Sequence, residues 1–196
     1  VQEYSRRSAK RAYALRSVLS YGLDAFDATI HPANTPDSRF VAWLGQGQAV
    51  WRLTESGTQL ILRGGIQLAG EHLLPLEQFA IGGVNTVRGY RENELVGDSG
   101  YAASLELRYP LWEGVGFAET RQQVQLAAFT DAGSAWNHGR FNQREDLFSV
   151  GVGLIWTIEE RLRAELYLGH ALTDRTPQTD HNLQDDGIHF MVQADF

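Results

Sequence analysis

The sequence has no cysteine, one lysine and one methionine among its 196 residues. The lack of cysteine excludes a disulfide scaffold, a thiolate zinc site and a cysteine nucleophile. Because Lys10 is the single lysine, the positive charge rests almost entirely on arginine, whose planar guanidinium suits fixed, forked hydrogen bonding. The formal net charge of −7 argues against a nucleic-acid footprint, so no nucleic-acid partner is expected.

Long apolar runs are also missing from the sequence. No stretch approaches the ~20 apolar residues of a membrane-spanning helix, and the first residues contain no apolar core of an export signal. The strands of membrane β-barrels alternate apolar and polar residues, and such strands score as unremarkable in hydropathy. The absence of apolar runs therefore leaves a membrane β-barrel open.

What the sequence contains instead is alternation with a period of two. Residues 147–158 place apolar side chains on one strand face and small or polar side chains on the other. Residues 58–70, 100–109 and 161–168 repeat this design, and their polar faces carry arginine or glutamate. A charged strand face does not make an oily core, so these faces are expected to meet water or a polar interior.

The alternating pattern predicts eight strands, at about 11–27, 39–55, 58–70, 100–110, 122–136, 147–158, 161–173 and 187–196. Long and short connections alternate between them, as in outer-membrane barrels, and the longest is 71–99. We therefore predict an all-β fold, a transmembrane antiparallel β-barrel domain over 11–196 that follows an N-terminal tail over 1–10. A soluble β-sandwich or lipocalin-like barrel is the alternative, because periodicity does not say which face is inside.

The C-terminal segment GIHFMVQADF alternates up to a terminal aromatic residue, Phe196. This end resembles the C-terminal signature of bacterial outer-membrane proteins, which the barrel-assembly machinery recognises. The resemblance implies the outer membrane of a Gram-negative bacterium as the location. It also implies outer-membrane lipid and the barrel-assembly machinery as partners.

Catalytic and metal-binding patterns are weak. The stretch GDSG, residues 97–100, resembles a serine-protease nucleophile segment, but Tyr101 follows where that family continues with glycine and proline. The six histidines show no metal-ligand spacing, and GGVNTVRG lacks the ending of a phosphate-binding loop. We therefore expect a protein that is not an enzyme and that needs no cofactor or metal.

Two motifs carry a family resemblance. Residues 74–112 closely resemble the loop and following strand of the two-partner secretion transporters (TpsB, the FhaC and ShlB-like family), relatives of the barrel-assembly protein BamA. The first motif is the VRGY tetrad, Val87–Tyr90. The second is F-x-D-x-G on the next strand, with Phe129, Asp131 and Gly133. Two motifs in the proper order and separation make chance similarity improbable.

In this family the long loop folds back into the barrel, and its arginine is held by acidic residues of the inner wall. Strand parity here places Glu106 and Asp131 on polar faces, so the two carboxylates are expected to lock Arg88. Three glycines, Gly82, Gly83 and Gly89, are expected to let the backbone turn tightly beside it. The alternative is a flexible external loop with a solvated arginine.

By resemblance, the function is a pore for protein translocation across the outer membrane, with a TpsA-type exported protein as a partner. Family members carry a sixteen-stranded barrel preceded by periplasmic POTRA domains, and this sequence matches the last eight strands without a POTRA-like segment. A self-contained POTRA-less pore or assembly factor is an alternative. In that case a homodimer could build one sixteen-stranded wall, and a closed eight-stranded monomer competes with it. A membrane-embedded lipid hydrolase is a further alternative.

Overall fold

The computed structural model describes residues 1–23, 38–116, 119–159, 161–175 and 182–195. Their backbone forms one antiparallel sheet of nine strands and a second sheet of two short strands. The large sheet runs in chain order except that the two short strands lie inside the connection between its fourth and fifth strands. Each hairpin therefore places successive alternating segments side by side, as the sequence pattern predicts.

The strands of the large sheet are β1 (Gln2–Arg7), β2 (Arg11–Tyr21), β3 (Val41–Arg52), β4 (Gln59–Ala69), β7 (Ser99–Val115), β8 (Arg121–Trp136), β9 (Glu145–Ile158), β10 (Leu162–Ala171) and β11 (Ile188–Ala194). The short strands are β5 (Phe79–Ile81) and β6 (Leu95–Gly97). A register shift interrupts the pairing of β7 with β8 between Pro110 and Trp112, where proline lacks the N–H that a ladder needs.

The nine-stranded sheet corrects three expectations. Each of the eight predicted strands is present, but residues 2–7, expected as part of a tail, form the additional strand β1 and pair with β2. The first predicted strand, 11–27, ends at Tyr21 in β2, and its last four positions lie outside the described residues. The predicted strand 100–110 continues to Val115, because pairing with β8 resumes beyond the shifted register.

The apolar strand faces point outward. Leu105, Leu107, Val152, Leu154 and Leu166 are all exposed, whereas the opposite faces of the same strands are buried and hold Glu106 and Arg108 on β7, Leu147, Ser149 and Ile155 on β9, and Glu165 on β10. In a soluble sandwich or lipocalin-like barrel the apolar faces would be the buried ones, so the structure rejects that alternative. The exposed apolar stripes form the surface that lipid requires.

The loop between β4 and β7, residues 71–99, covers the polar face of the sheet and is called the VRGY loop below. Its apolar residues Ile81, Val87 and Leu95 pack with Ala102 of β7, Ala135 of β8 and Leu147 of β9. A second buried cluster, formed by Ala127, Phe129, Ile155 and Tyr167, lies on β8, β9 and β10. The protein core is thus built from the loop and the face of the sheet opposite the exposed apolar side chains.

Within the described residues, no helix is long and apolar enough to cross a membrane.

Candidate functional site

Arg88 lies at the centre of the VRGY loop and contacts two strands through its guanidinium. Its Nε donates to Asp131 Oδ2 (2.8 Å) and its Nη2 to Asp131 Oδ1 (2.9 Å), which is a bidentate pair. Its Nη1 donates to Glu106, and its Nη2 also donates to Ser104 Oγ (3.0 Å). The structure therefore brings Arg88 of the loop together with Glu106 and Asp131, the two carboxylates that strand parity placed on polar faces.

The backbone of Arg88 contributes to the same attachment. Its N–H donates to Asp131 Oδ2 at 3.0 Å, so one carboxylate binds both the main chain and the side chain of this residue. Arg88 is 2% exposed, Glu106 0% and Asp131 1%. The alternative of a solvated arginine on a flexible external loop is inconsistent with this burial.

Two aromatic rings enclose the guanidinium. The Arg88 Cζ atom lies 3.6 Å from the ring centroid of Phe129 and 4.7 Å from that of Tyr167. The two rings meet edge to face, with centroids 5.8 Å apart. Such contacts add cation–π attraction to the ion pairs and keep water away from them.

Glycines on β9 make room for these rings. A methyl carbon on Gly151 would lie 2.4 Å from Phe129 Cζ, and one on Gly153 would lie 2.3 Å from Tyr167 Cδ1. The alternating small residues of β9 are therefore the floor on which the two rings lie. The sequence shows these glycines, but it does not show which rings they accommodate.

The charges around Arg88 balance locally. Arg108 donates from Nε to Glu106, so Glu106 accepts from two guanidinium groups. Burial alone would lower the pKa of Arg88, but the hydrogen bonds and charges of Asp131 and Glu106 outweigh burial and hold this pKa above its ordinary value. The loop arginine is consequently a permanent cation in a region shielded from water.

Val87 explains the glycine of the F-x-D-x-G motif. A methyl carbon on Gly133 would lie 3.0 Å from both Val87 Cγ2 and Ile81 Cδ1, and 3.0 Å from the Tyr101 carbonyl oxygen. Val87 itself is fully buried. The two hallmark motifs therefore touch at three points, the ion pair of Arg88 with Asp131, the stacking of Arg88 on Phe129, and this apolar contact.

Gly89 brings the loop backbone onto β10 and β11. Its φ of +94° lies in the left-handed region that favours glycine. A methyl carbon on Gly169 would lie 2.6 Å from the Gly89 nitrogen, so the two backbones are in direct contact. The Gly89 N–H donates to His189 Nε2 at 2.9 Å. The sequence pattern marks neither Gly169 nor His189 as a partner of the loop.

Tyr90 attaches the loop to the first part of β9 and to the segment just after β10. Its hydroxyl donates to the Phe148 carbonyl oxygen (2.7 Å) and accepts from the Thr173 N–H (2.9 Å). The ring is 4% exposed and belongs to the apolar cluster under the loop. Arg88, Gly89 and Tyr90 thus connect three consecutive positions to five neighbouring strands, β7 to β11.

Gly82 and Gly83 shape the turn that leads into the tetrad. Their φ angles are +111° and +89°. The Gly83 N–H donates to the Val87 carbonyl oxygen (3.1 Å), and the Gly82 N–H donates to Thr86 Oγ1 (2.8 Å). This compact turn directs Arg88 toward the sheet.

A second anchor, Asp98, holds the base of the loop just before β7. Its carboxylate accepts from the Leu73 N–H (3.0 Å), from Gln78 Nε2 (3.0 Å) and from the His138 N–H (2.8 Å), and it also contacts His72. Burial alone would raise the pKa of Asp98, but these donors outweigh it and hold this pKa below its usual range. In the sequence, the segment around Asp98 shows only a weak protease resemblance and gives no sign of this role.

Ion pairs also join the loop to the connection between β10 and β11. Arg91 forms a two-pronged pair with Asp185, with N···O distances of 2.5 and 2.6 Å. Arg175 contacts both Glu94 of the loop and Glu145 of β9. The loop is therefore held in place at three regions: the VRGY tetrad, Asp98 near its C-terminal end, and the ion pairs of Arg91 and Glu94.

Phe196, the expected assembly signal, lies outside the described residues. For metals, the part of the chain that the structure describes contains no group of three His, Cys, Asp or Glu side chains placed to hold an ion.

A comparison with known protein families identifies the family to which this loop and sheet belong. The family model that matches is that of the haemolysin secretion/activation proteins ShlB/FhaC/HecB, over residues 2–155. The chain belongs to this family. The match includes the VRGY loop and both hallmark motifs, so the family resemblance predicted from the sequence is confirmed. No curated protein matches the sequence.

Among solved structures, this family member is similar to CdiB from Escherichia coli, with a TM-score of 0.75 and 19% sequence identity. The similarity covers 97% of this chain and 34% of CdiB, so the chain spans about one third of the length of that protein. At this identity the likeness shows the fold. The predicted fold class, an antiparallel transmembrane barrel sheet, is confirmed by this match and by the family.

Proposed function

We propose that this chain forms part of the wall and the gating loop of a protein-secretion pore in the outer membrane of a Gram-negative bacterium. The observation that carries the proposal is the attachment of Arg88 to Asp131 and Glu106 on the inner face of the sheet. A loop held inside a barrel obstructs the lumen, and its noncovalent contacts allow it to shift. The VRGY loop is thus suited to act as a plug or gate.

The inner face is divided into two halves, which supports a pore beside the loop. The VRGY loop lies against β7 to β11, whereas β1 to β4 face an open cavity of about 520 Å³. Polar side chains, among them Arg16, Gln48 and Arg63, line this cavity together with Asn85 of the loop and with apolar residues such as Leu15 and Phe79. Polar side chains can hydrogen bond to a passing peptide backbone without a fixed sequence preference.

The proposed partners follow from this function. A TpsA-type exported protein is the proposed cargo, and outer-membrane lipid is proposed to contact the outward apolar faces. The barrel-assembly machinery is the proposed insertion factor. The negative net charge gives no support for a nucleic-acid partner.

The wall requires further strands. Within the described residues, β1 pairs only with β2 and β11 only with β10, and an unpaired strand edge is costly in lipid. The first and last of nine antiparallel strands run in the same direction, so joining β1 to β11 gives a parallel seam. An odd number of additional strands restores antiparallel pairing throughout. We therefore favour a larger wall built from further strands of the protein.

A self-contained, POTRA-less pore or assembly factor remains the second candidate, because the open edges could also be completed by a second copy of the chain. In this candidate two chains form a homodimer. A seam that keeps β1 must then contain parallel pairs, which are slightly less stable per residue. If β1 is displaced, eight strands per chain allow an antiparallel seam.

Reconstitution in planar bilayers tests the proposed function. The protein at its full natural length should give discrete conductance steps, and the Arg88→Ala variant should open more often because the loop has lost its ion pairs. The variant Arg63→Gln, on the open half of the lumen, should alter the conductance of the open pore without altering the frequency of opening. Correctly folded protein that gives no conductance would contradict a pore.

A further inference from the structure

One hydrogen bond ties the tip of the VRGY loop to the edge strand β11. The Gly89 N–H donates to His189 Nε2 at 2.9 Å across 100 sequence positions. His189 is 4% exposed and points to the inner face, while its neighbour Phe190 is exposed on the outer face. The bond is therefore shielded from water on the side where the loop lies.

The direction of this bond defines the state of the imidazole ring. Because Nε2 accepts a hydrogen bond from the Gly89 N–H, it carries no proton of its own, and the ring is neutral. Protonation would place N–H groups on both ring nitrogens, and two donors would then face each other. The Gly89 amide cannot turn away easily, because its backbone lies directly against Gly169.

The ring is surrounded by charged groups from several elements. Arg88 and Glu92 of the loop and Asp131 of β8 act on it through their charges. Tyr167 of β10 is its direct neighbour in the strand register. Burial is the largest influence on the ring and opposes an imidazolium ion, as does the positive charge of Arg88, whereas the carboxylates of Glu92 and Asp131 favour it. The neutral ring is therefore the favoured form near neutral pH.

The contact with His189 is separate from the Arg88 attachment. Arg88 binds residues of β7 and β8, but Gly89 reaches β11, which is an edge of the described sheet. A second hydrogen bond reinforces this link. The Glu92 N–H of the VRGY loop donates to Oε1 of Gln184 (3.1 Å), a residue just before β11. Loop position and edge-strand position are thus mechanically connected.

We propose that His189 is a proton-sensitive latch that fixes the tip of the VRGY loop to the edge strand β11. With a neutral ring the latch is closed. When the ring is protonated, the Gly89 amide loses its acceptor, and the loop tip separates from β11 while Arg88 stays paired with Asp131. This inference concerns the attachment of the loop and does not depend on whether the protein conducts or secretes.

A spin label on the loop tests the latch. The natural sequence has no cysteine, so Asn85→Cys, an exposed position in the loop turn, gives a single labelling site. In detergent micelles the label should be largely immobile at pH 7.5, and its mobile fraction should rise severalfold as the pH is lowered to 5, the acidic end of the ordinary imidazole range, because burial favours the neutral ring. Carboxylates titrate near pH 4, so their effect falls outside this window.

Three variants in the labelled background make the assignment specific. His189→Gln offers an amide oxygen as a permanent acceptor, so its mobility should not change between pH 7.5 and pH 5. His170→Gln, at an exposed histidine of β10, should retain the wild-type pH profile. Glu92→Gln removes a charge that favours the imidazolium ion, so the midpoint of the transition should move to lower pH.

Two outcomes would overturn the latch. A labelled wild-type loop with constant mobility from pH 7.5 to pH 5 shows that protonation does not release it. A His189→Gln variant with the wild-type transition shows that another group is responsible. If His189→Gln does not fold, the wild-type profile and the midpoint of Glu92→Gln still decide the matter.

Discussion

Gly89 and Gly169 lie backbone to backbone, so closely that a methyl carbon on Gly169 would stand 2.6 Å from the Gly89 nitrogen and 2.8 Å from its Cα atom. At this contact the VRGY loop touches the strand wall without any side chain between them. It allows the Gly89 N–H to reach His189 and the Tyr90 hydroxyl to reach Phe148. Two glycines far apart in sequence therefore set the depth of the loop.

Gly169→Ala is expected to displace the loop. The added methyl group meets backbone atoms that cannot rotate away, and overpacking of this kind costs about 1–3 kcal/mol. Limited proteolysis within residues 82–94 should become faster, while the strand content by circular dichroism stays unchanged. Gly65→Ala on β4 is the matched control, because the nearest atom to its added methyl is 3.8 Å away. Equal protection of the loop in both variants would contradict the contact.

Arg88→Ala is expected to free the loop tip at a cost on the order of 3 kcal/mol, because it leaves a buried carboxylate without its cation. Asp131 is affected most, since Glu106 keeps Arg108 as a partner. Arg88→Lys should recover only part of the loss, because lysine cannot form the bidentate pair. Thermal unfolding in detergent measures the cost.

The double variant Arg88→Ala with Asp131→Asn separates the ion pair from other effects of Arg88. Removing both charges should restore part of the stability lost in Arg88→Ala alone, as a double-mutant cycle requires for coupled residues. Strictly additive losses would show that the two side chains are independent.

Acid is expected to weaken the base of the loop through Asp98. The pKa of Asp98 is lower in the folded protein than its unfolded value of about 3.9. Its contribution is therefore fully present above that value and is lost as the pH falls through the lower folded pKa. Asp98→Asn should lower the thermal midpoint at pH 7 and flatten its dependence on pH below about 4. Asp195→Asn, at an exposed position, should leave the acid dependence unchanged.

Membrane insertion is expected from the outward apolar faces. The folded protein should stay in solution only with detergent and should migrate differently on gels before and after boiling. Val152→Arg, in the middle of an exposed apolar face, should cost about 2–4 kcal/mol in a bilayer. Gln48→Arg, on the cavity side, should cost little by comparison. A monodisperse folded protein without detergent would rule out the membrane assignment.

Oligomeric state decides how the wall is completed. If further strands of the protein close the barrel, native mass spectrometry in detergent should show the full-length protein as a monomer. A dimer that survives dilution, with crosslinks between cysteines placed on β1 of one copy and β11 of the other, would support the homodimer instead.

The sequence by itself determined eight of the nine strands of the large sheet, the two faces of each, and the central part of the site. Alternation separated apolar from polar faces, and strand parity put Glu106 and Asp131 on the polar side. The family resemblance then identified Arg88 as the partner of these two carboxylates. These features are readable because a strand alternates strictly and because an ion pair requires opposite charges, both of which are local or chemical properties.

Only the tertiary structure decided the rest. Periodicity does not distinguish inside from outside, so the outward apolar faces had to be observed. The strand β1 became visible only through its pairing with β2, because six exposed residues carry little pattern of their own. Gly169, Gly151 and His189 act through contacts with residues that are distant from them in the sequence. A glycine in a sequence indicates that a neighbouring group needs space, but it does not identify that group. The group becomes known only from the packing of the loop against the strands.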